Sequence, residues 1–248
     1  METSLPTSHW SKTLLETLMT GPDIGARLLG GHAVQFHAAR AQVPPSLLRQ
    51  PGDLDLFTTS SQRRRVQQWL EELGFLPNKA FNVLHGRYRL MYFAQGEKVD
   101  IFIDEFQMCH RLALSDRLAL QPVTLPLADL LLTKLQIVEL TEKDMRDALA
   151  LMLAAPWGAH DEPGLLNVSR IATLLARDWG LWKTVTTNLS VLRERAALLV
   201  ERNDTLTLLH NRLLQLQEAI EATRKGWRWR WRAIIGERVR WYELPEEP

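Results

Sequence analysis

Residues 51–59 read PGDLDLFTT, and this stretch places Asp53 and Asp55 one residue apart in an otherwise apolar run. Side chains alternate faces along a strand, so the two carboxylates are predicted to share one side while Leu54 and Leu56 take the other. Like charges this close repel each other, and burying an unpaired carboxylate costs roughly several kcal/mol. The stretch therefore predicts a strand whose two acids need a cation beside them.

Composition excludes several classes of protein. The 248 residues include 30 Lys or Arg and 29 Asp or Glu, so any electrostatic partner must be recruited by a local patch. The single cysteine, Cys109, excludes an intramolecular disulfide and a multi-cysteine zinc site, and it suits a reducing compartment. The N-terminal residues lack the pattern of a signal peptide, and no apolar run of about 18 residues could span a bilayer. We expect a cytoplasmic protein with no membrane partner.

The order of sequence patterns indicates the fold class. ARLLGGHAV predicts a strand, a turn and a helix; DLDLF predicts a strand, RRRVQQWLEELGF a helix, and RYRLMYF and KVDIFID two more strands. LADLLLTKLQIVEL and KDMRDALALML predict packed helices, and a later helix has one apolar seam formed by Leu206, Leu209, Leu213, Leu216 and Ile220. Prolines and a glycine at 156–163 mark a boundary. We expect an α+β or α/β core followed by an α-rich C-terminal part.

A third acid, Asp100, lies between apolar residues in KVDIFID. Three carboxylates converging from neighbouring strands would hold two divalent cations roughly 4 Å apart, which activate an attacking oxygen and stabilise a leaving pyrophosphate. Mg²⁺ suits such oxygen ligands, with Mn²⁺ as an alternative. Asp104 shares the face of Asp100 and is a rival for the third position. The Gly30–Gly31 turn before a helix would let a phosphate approach the backbone.

These residues together resemble a known family. LLGGHAV, GDLDLF and VDIFI, in that order, resemble the nucleotidyltransferase superfamily of the DNA polymerase β type. The segment LADLLLTKLQIVELTEKDMRDALALML is similar to the helical part of AbiEii-like bacterial nucleotidyltransferases, in which a Lys-Asp-x-x-Asp element is typical. The gap between the glycines and Asp53 is longer than in the simplest members, but AbiEii-like relatives have such gaps, with an arginine where Arg49 stands here. The resemblance covers residues 28–153.

The resemblance implies a fold, a reaction and roles for particular residues. It implies an α+β fold with a nucleotidyltransferase-type mixed sheet flanked by helices at 1–155. The resemblance does not reach the C-terminal part, where the apolar pattern predicts a helical region at 156–248. Asp53 and Asp55 would ligate the metal ions, and Asp100 would complete the site and help deprotonate the acceptor hydroxyl. The turn at Gly30 and Gly31 would seat the triphosphate of an NTP. Further expected contacts are Lys134, to a phosphate or the nucleotide, and either Asp144 or Asp147, to orient it or touch the base or ribose.

The segment RKGWRWRWRAIIGERVRW contains alternating tryptophans and arginines. In extended form it would show one aromatic and one cationic face, able to stack bases and neutralise phosphates of RNA. Arg228, Arg230, Arg232 and Trp229 are the candidate nucleic-acid contacts. The alternative is that the tryptophans pack against the catalytic domain while the arginines face solvent or the acidic C-terminal residues.

Two functions from different classes are therefore carried forward. The first is a Mg²⁺-dependent nucleotidyltransferase that transfers a nucleoside monophosphate from an NTP to a hydroxyl of an acceptor and releases pyrophosphate. The acceptor is tRNA or other RNA, a small molecule such as an aminoglycoside, or a protein side chain, and toxin-type relatives leave an antitoxin partner open. The second is a non-catalytic binding protein that retains the fold and recognises a partner through its C-terminal helices.

Overall fold

A computed structural model describes residues 9–244 of the chain. The first part contains α1 (His9–Thr20), β1 (Ala26–Leu28), α2 (Gly30–Ala38), β2 (Leu54–Thr58), α3 (Arg63–Glu72), β3 (Leu76–Pro77), α4 (Lys79–His85), β4 (Arg89–Ala94), β5 (Glu97–Ile103), β6 (Glu105–Gln107), β7 (Arg111–Ala113), α5 (Leu127–Leu135) and α6 (Glu142–Leu153). The second part contains β8 (Trp157–Gly158), β9 (Leu166–Asn167), α7 (Val168–Leu175), α8 (Trp179–Leu199), α9 (Asn203–Ala222) and α10 (Trp227–Ile235).

The five-stranded sheet positions the acidic residues. Its strand order is β1-β2-β5-β4-β3, in which β2 and β5 run parallel and the other neighbouring pairs run antiparallel. Leu54 and Leu56 on β2 and Val99 and Ile101 on β5 are buried, as the alternating apolar pattern predicts. The expected mixed sheet flanked by helices, with several helices after it, is confirmed.

One hydrophobic core joins the sheet to the C-terminal helices. Buried residues from β2, α5, α8 and α9 belong to the same cluster, and the seam of α9 is buried at Leu209, Leu213, Leu216 and Ile220. The expected boundary at 155 and 156 therefore lies within a continuous core, and the division into two domains stays a prediction. No helix among residues 9–244 is long and apolar enough to cross a bilayer.

A buried ionic cluster also connects the two parts. The carboxylate of Asp129 on α5 has no exposed surface and accepts hydrogen bonds from Arg117 Nε at 2.7 Å and from Arg170 Nε on α7 at 3.1 Å. Arg117 also forms a two-bond pair with Asp161. Because a buried carboxylate is costly unless it is paired, these arginines fix where α7 packs on α5.

Two local expectations are wrong. The helix expected over LADLLLTKLQIVEL ends at Leu135. It ends there because the side-chain amide of Asn188 donates to the carbonyl oxygens of Leu135 and Ile137. A capping box at Thr141 then starts α6. The tryptophan–arginine segment is the helix α10, so the alternating faces of an extended chain are not formed. Arginine is a good helix former, and this helix lies on α8.

Candidate functional site

Asp55 and Asp100 are neighbours across the two parallel strands. The register of β2 and β5 places Asp55 opposite Asp100, and Asp100 is only 1% exposed. Burial and the nearby Asp100 raise the pKa of Asp55 to about 6, although Lys134 and Arg89 act in the opposite direction. The two acids therefore lie side by side, as the sequence predicts. Their proximity disfavours the ionised form of Asp55.

Two basic side chains hold Asp100. Arg89 on β4 reaches it twice, with Nε 3.0 Å from Oδ1 and Nη2 3.0 Å from Oδ2. Lys98, two residues before Asp100 on β5, places Nζ 3.2 Å from Oδ2. Both cations act on Asp100, and neither forms an ion pair with Asp55 in the part of the chain that the structure describes.

Lys98 also forms an ion pair with Asp53, the first of the three predicted acids. Asp53 lies just before β2 with its side chain half exposed, and its Oδ2 atom is 2.7 Å from Lys98 Nζ. Burial opposes the charge of Lys98, but the hydrogen bond to Asp53 and the proximity of Asp100 outweigh it, so the pKa of Lys98 is raised. The ammonium group thus bridges Asp53 and Asp100, where the sequence predicts a metal cation.

The glycine turn is packed directly on Asp55. The backbone N–H of Leu29 donates to the carbonyl oxygen of Asp55 at 2.9 Å, which joins the turn to β2. Gly30 has a φ of 57°, and a Cβ atom there would overlap Oδ2 of Asp55. Only glycine combines this backbone conformation with the close approach. The Gly30–Gly31 pair therefore lies beside the predicted carboxylates, at the N-terminus of α2.

The guanidinium of Arg49 lies beside the second glycine. A Cβ atom on Gly31 would be 3.0 Å from Nη2 of Arg49. Arg49 forms two hydrogen bonds to the buried Asp147, at 2.9 and 2.7 Å, and Lys134 Nζ lies 2.9 Å from Oδ2 of the same residue. Asp147 thus orients Arg49 and Lys134, and these two cations converge near the start of α2.

Asp144 has a different structural environment from Asp147. It is the third helical residue of α6, where its side chain accepts bonds from Thr141 in the capping box. Its Oδ1 atom is 3.9 Å from Lys134 Nζ, a longer contact than that of Asp147. Of the two aspartates left open by the sequence, Asp147 is the closer partner of Lys134.

Asp104 lies outside this cluster. It follows the end of β5 with a φ of 62°, and its carboxylate accepts hydrogen bonds from the backbone of Ser60 and the hydroxyl of Ser115. The pairing of Asp55 with Asp100 therefore favours Asp100 as the third acid. Asp104 instead joins the loop after β2 to the end of β5.

An open cleft shares Arg89 with the acidic cluster. It measures about 730 Å³, and its lining includes Phe81 and Leu84 of α4, Tyr88, and the arginines at 87, 89 and 111. The guanidinium of Arg89 lies 5.6 Å from the ring centre of Phe81, so this residue belongs to both the cleft and the acidic cluster. The cleft combines apolar and aromatic side chains with three arginines and one acid, Glu243.

Sequence reasoning missed Lys98, Arg89 and the cleft. A signal for Lys98 was present, because a residue two positions before Asp100 on a strand shares its face. Arg89 could be found only with the pairing of β4 and β5, which places Met91 opposite Asp100 and Arg89 two residues away on the same face. The cleft depends on α4 and the C-terminal residues, which no local pattern connects.

The candidate nucleic-acid residues of α10 are separated into two sets. Trp229 faces inward, with Nε1 donating to the carbonyl oxygen of Leu175 at 3.0 Å and its ring 5.0 Å from that of Trp182. Arg232 donates to backbone carbonyl oxygens of Gly236 and Val239. Arg228 and Arg230 are exposed. Trp229 and Arg232, by contrast, are partly buried.

The described residues contain no group of three or more His, Cys, Asp or Glu side chains positioned to hold a metal ion. The donor chemistry nevertheless fits Mg²⁺, because Asp55 and Asp100 are adjacent carboxylates on paired strands, and carboxylate oxygens are ligands that Mg²⁺ prefers. Asp53 is separated from them by Lys98. A third ligand therefore requires the ion pair between Lys98 and Asp53 to open.

No protein-family model matches this chain, and no curated protein matches it in sequence. These comparisons bear on neither the type of fold nor nucleotidyl transfer. The acidic cluster, the glycine turn and their cationic neighbours are the features from which a function has to be proposed.

Proposed function

We propose that this chain is a Mg²⁺-dependent nucleotidyltransferase of the DNA polymerase β type. The observation that carries the proposal is the packing of Gly30 on Asp55, which itself lies in register with Asp100. This arrangement brings a phosphate-compatible turn and two metal-compatible carboxylates to one place. The order of the motifs along the chain supports the same conclusion, as does the mixed sheet that carries them.

The triphosphate of an NTP would lie at the N-terminus of α2. Backbone N–H groups and the helix dipole favour negative charge there. Because Gly30 has no side chain, the turn packs on Asp55, so a phosphate at the start of α2 would lie beside the carboxylates. Arg49 and Lys134 add positive charge from outside the helix, and Asp147 holds both in position. Arg49 thus joins Lys134 as a proposed phosphate contact.

Asp55 and Asp100 would hold the metal ions, with Asp53 joining them when its pair with Lys98 opens. Mg²⁺ held by these carboxylates would supply positive charge to the phosphates and would favour deprotonation of the acceptor hydroxyl. The two bonds from Arg89 fix the side chain of Asp100, which would take up the hydroxyl proton at a carboxylate oxygen. Opening of the Lys98 pair would also place a free ammonium group near the phosphates.

The acceptor would approach through the cleft beside Arg89. This cleft is open to solvent on one side and shares Arg89 with the carboxylate cluster on the other. Its rings and arginines suit an acceptor that carries both an apolar surface and negative charge. The alternatives for the acceptor are RNA, a small molecule and a protein side chain. An antitoxin stays a separate, further partner in this proposal.

The test is transfer of label from each of the four NTPs in the presence of Mg²⁺, with tRNA, aminoglycosides and protein extract as acceptors. Asp55→Asn and Asp100→Asn should each abolish transfer. Asp104→Asn is the matched control, because Asp104 directly follows β5, the strand that carries Asp100, but lies outside the acidic cluster. This variant should keep the activity. Transfer that survives Asp55→Asn would refute the proposed site.

A non-catalytic binding protein is the second candidate, and one observation favours it. Lys98 and Arg89 already neutralise Asp100, and Lys98 also pairs with Asp53, as in a site that no longer needs a metal. Calorimetric titration with Mg²⁺ and Mn²⁺ separates the two candidates. Absence of both metal binding and NTP binding would favour the binding protein.

A further inference from the structure

The outer face of α10 is an apolar stripe exposed to solvent. Trp227, Trp231 and Ile234 are 68%, 65% and 70% exposed, and Ile235 is 44% exposed. Their spacing of four, three and one places them on one side of the helix. We call these four outward side chains the α10 ridge. Such a group of large apolar side chains is unusual on a surface that stays in water.

The opposite face of α10 is held to the folded chain. The inward ring of Trp229 contacts Trp182 and donates to Leu175, and Trp241 after the helix donates to Thr184 at 3.1 Å. These contacts tie both the helix and the residues that follow it to α7 and α8. The α10 ridge therefore cannot be buried by a simple rotation of the helix.

Positive charge borders the ridge. Residues 224–240 include seven Lys or Arg and a single acid, Glu237, which pairs with Lys183 at 2.6 Å. With 100° between successive residues, Arg228 and Arg230 lie on opposite sides of the stripe. Both are exposed. A partner that covers the ridge must therefore be anionic as well as able to accept apolar side chains.

A shallow pocket lies next to the ridge and has the same character. It measures about 280 Å³. Its lining contains three arginines, the acid that caps the start of α8, and three tryptophan rings: Arg177, Arg228, Arg232, Asp178, Trp179, Trp229 and Trp241. Three guanidinium groups beside aromatic rings suit a phosphate group at the boundary of an apolar phase. The pocket therefore adds a place for a lipid headgroup.

We propose that the α10 ridge binds the surface of an anionic lipid bilayer. An interfacial helix has an apolar stripe with Trp and aliphatic side chains, flanked by Lys or Arg, and it lies in the plane of the interface. The isoleucines distinguish this partner from single-stranded nucleic acid, whose bases stack on flat rings and gain little from branched aliphatic side chains. The proposal departs from the expectation of no membrane partner, which rests on the lack of a spanning segment. It is independent of nucleotidyl transfer.

The experiment is co-flotation of the full chain with vesicles of phosphatidylcholine alone or mixed with phosphatidylglycerol. Binding should require phosphatidylglycerol and weaken with added salt. The charge reversals Arg228→Glu and Arg230→Glu together should lower the vesicle partition coefficient roughly tenfold or more. Their matched control is Arg193→Glu with Arg195→Glu, which changes two exposed arginines on α8. The control should bind as the unmodified chain does.

A second pair of variants tests the apolar part. Trp231→Ser with Ile234→Ser should reduce binding even at low salt, whereas Leu198→Ser, at a 73% exposed position on α8, should not. Thermal melts show whether each variant stays folded. Equal flotation with neutral and anionic vesicles, or none with either, would overturn the proposal. So would binding of a single-stranded RNA oligonucleotide that is lost in the arginine variants while vesicle binding is absent.

Discussion

Asp55 and Asp100 lie opposite each other on parallel strands, yet Arg89 and Lys98 pair with Asp100 and, within residues 9–244, form no ion pair with Asp55. Burial and the neighbouring charge of Asp100 raise the pKa of Asp55 to about 6. A cation that bound beside Asp55 would favour its ionised form, because this carboxylate has no ion-pair partner among the described residues. The same asymmetry makes the metal-free protein sensitive to pH and to substitution at this point.

Asp55→Asn should stabilise the metal-free protein at pH 7. The pKa of Asp55 is raised from 3.8 to about 6, so stability falls as pH rises through this window, because the folded state must release a proton that the unfolded state has already lost. Removing the charge should recover up to about 3 kcal/mol at pH 7. Urea unfolding of both proteins across pH measures the effect. The difference should shrink below pH 4, and a pH-independent difference would contradict this assignment.

Lys98→Met should make the stability of the protein depend on divalent cations. The substitution keeps an apolar stem but removes the ammonium group between Asp53 and Asp100. With a chelator present, we expect a loss of about 1 kcal/mol, because this ion pair is partly exposed. Mg²⁺ or Mn²⁺ should restore the melting temperature and bind more tightly than to the unmodified chain, because no ammonium has to be displaced.

The control for Lys98→Met is Lys143→Met, which changes an exposed lysine on α6. It should alter neither the melting temperature nor the metal titration. Unchanged metal affinity in Lys98→Met would mean that Lys98 does not compete with a cation.

Gly30→Ala should lower the free energy of unfolding more than Gly96→Ala, which changes the turn between β4 and β5. Gly30→Ala should also weaken NTP binding. Both glycines have positive φ, so alanine at either position costs about 1–2 kcal/mol. At Gly96 the new Cβ meets no atom within 4 Å, whereas at Gly30 it would overlap the Asp55 carboxylate. Urea midpoints and calorimetric NTP binding separate the two effects. Equal stability of the two variants with unchanged NTP binding would contradict the described packing.

Asp129→Ala should be strongly destabilising. It leaves Arg117 without one of its two carboxylates and Arg170 without its partner on α5, at a fully buried position. Breaking a buried pair in this way costs about 3–5 kcal/mol. Asp204→Ala, which removes an exposed pair with Arg202, is the control and should leave the urea midpoint unchanged. A small effect of Asp129→Ala would mean that this ionic cluster does not fix α7 on α5.

Local patterns predicted the elements that matter most for the site. DLDLF and KVDIFID alternate apolar and polar residues, and both form strands at the centre of the sheet. The Gly-Gly pair predicted a turn before a helix, which is where α2 begins. The nucleotidyltransferase type of the fold and the roles of the residues stay predictions.

Other features depended on residues far away in the chain. The end of α5 is set by Asn188, and the helical form of α10 is accompanied by contacts with α8 that its own alternating sequence does not reveal. The charge balance of Asp100 depends on Arg89, which reaches it only because β4 pairs with β5. No pattern within a short window contains these partners.

The sequence by itself determined the strands, the glycine turn and the alternation of faces, because the two-residue and 3.6-residue periods are properties of a local backbone. Tertiary structure decided which cations meet the carboxylates, which of Asp144 and Asp147 contacts Lys134, and which side of α10 faces water. These depend on strand register and helix packing, in which contacts between distant residues outweigh local preference.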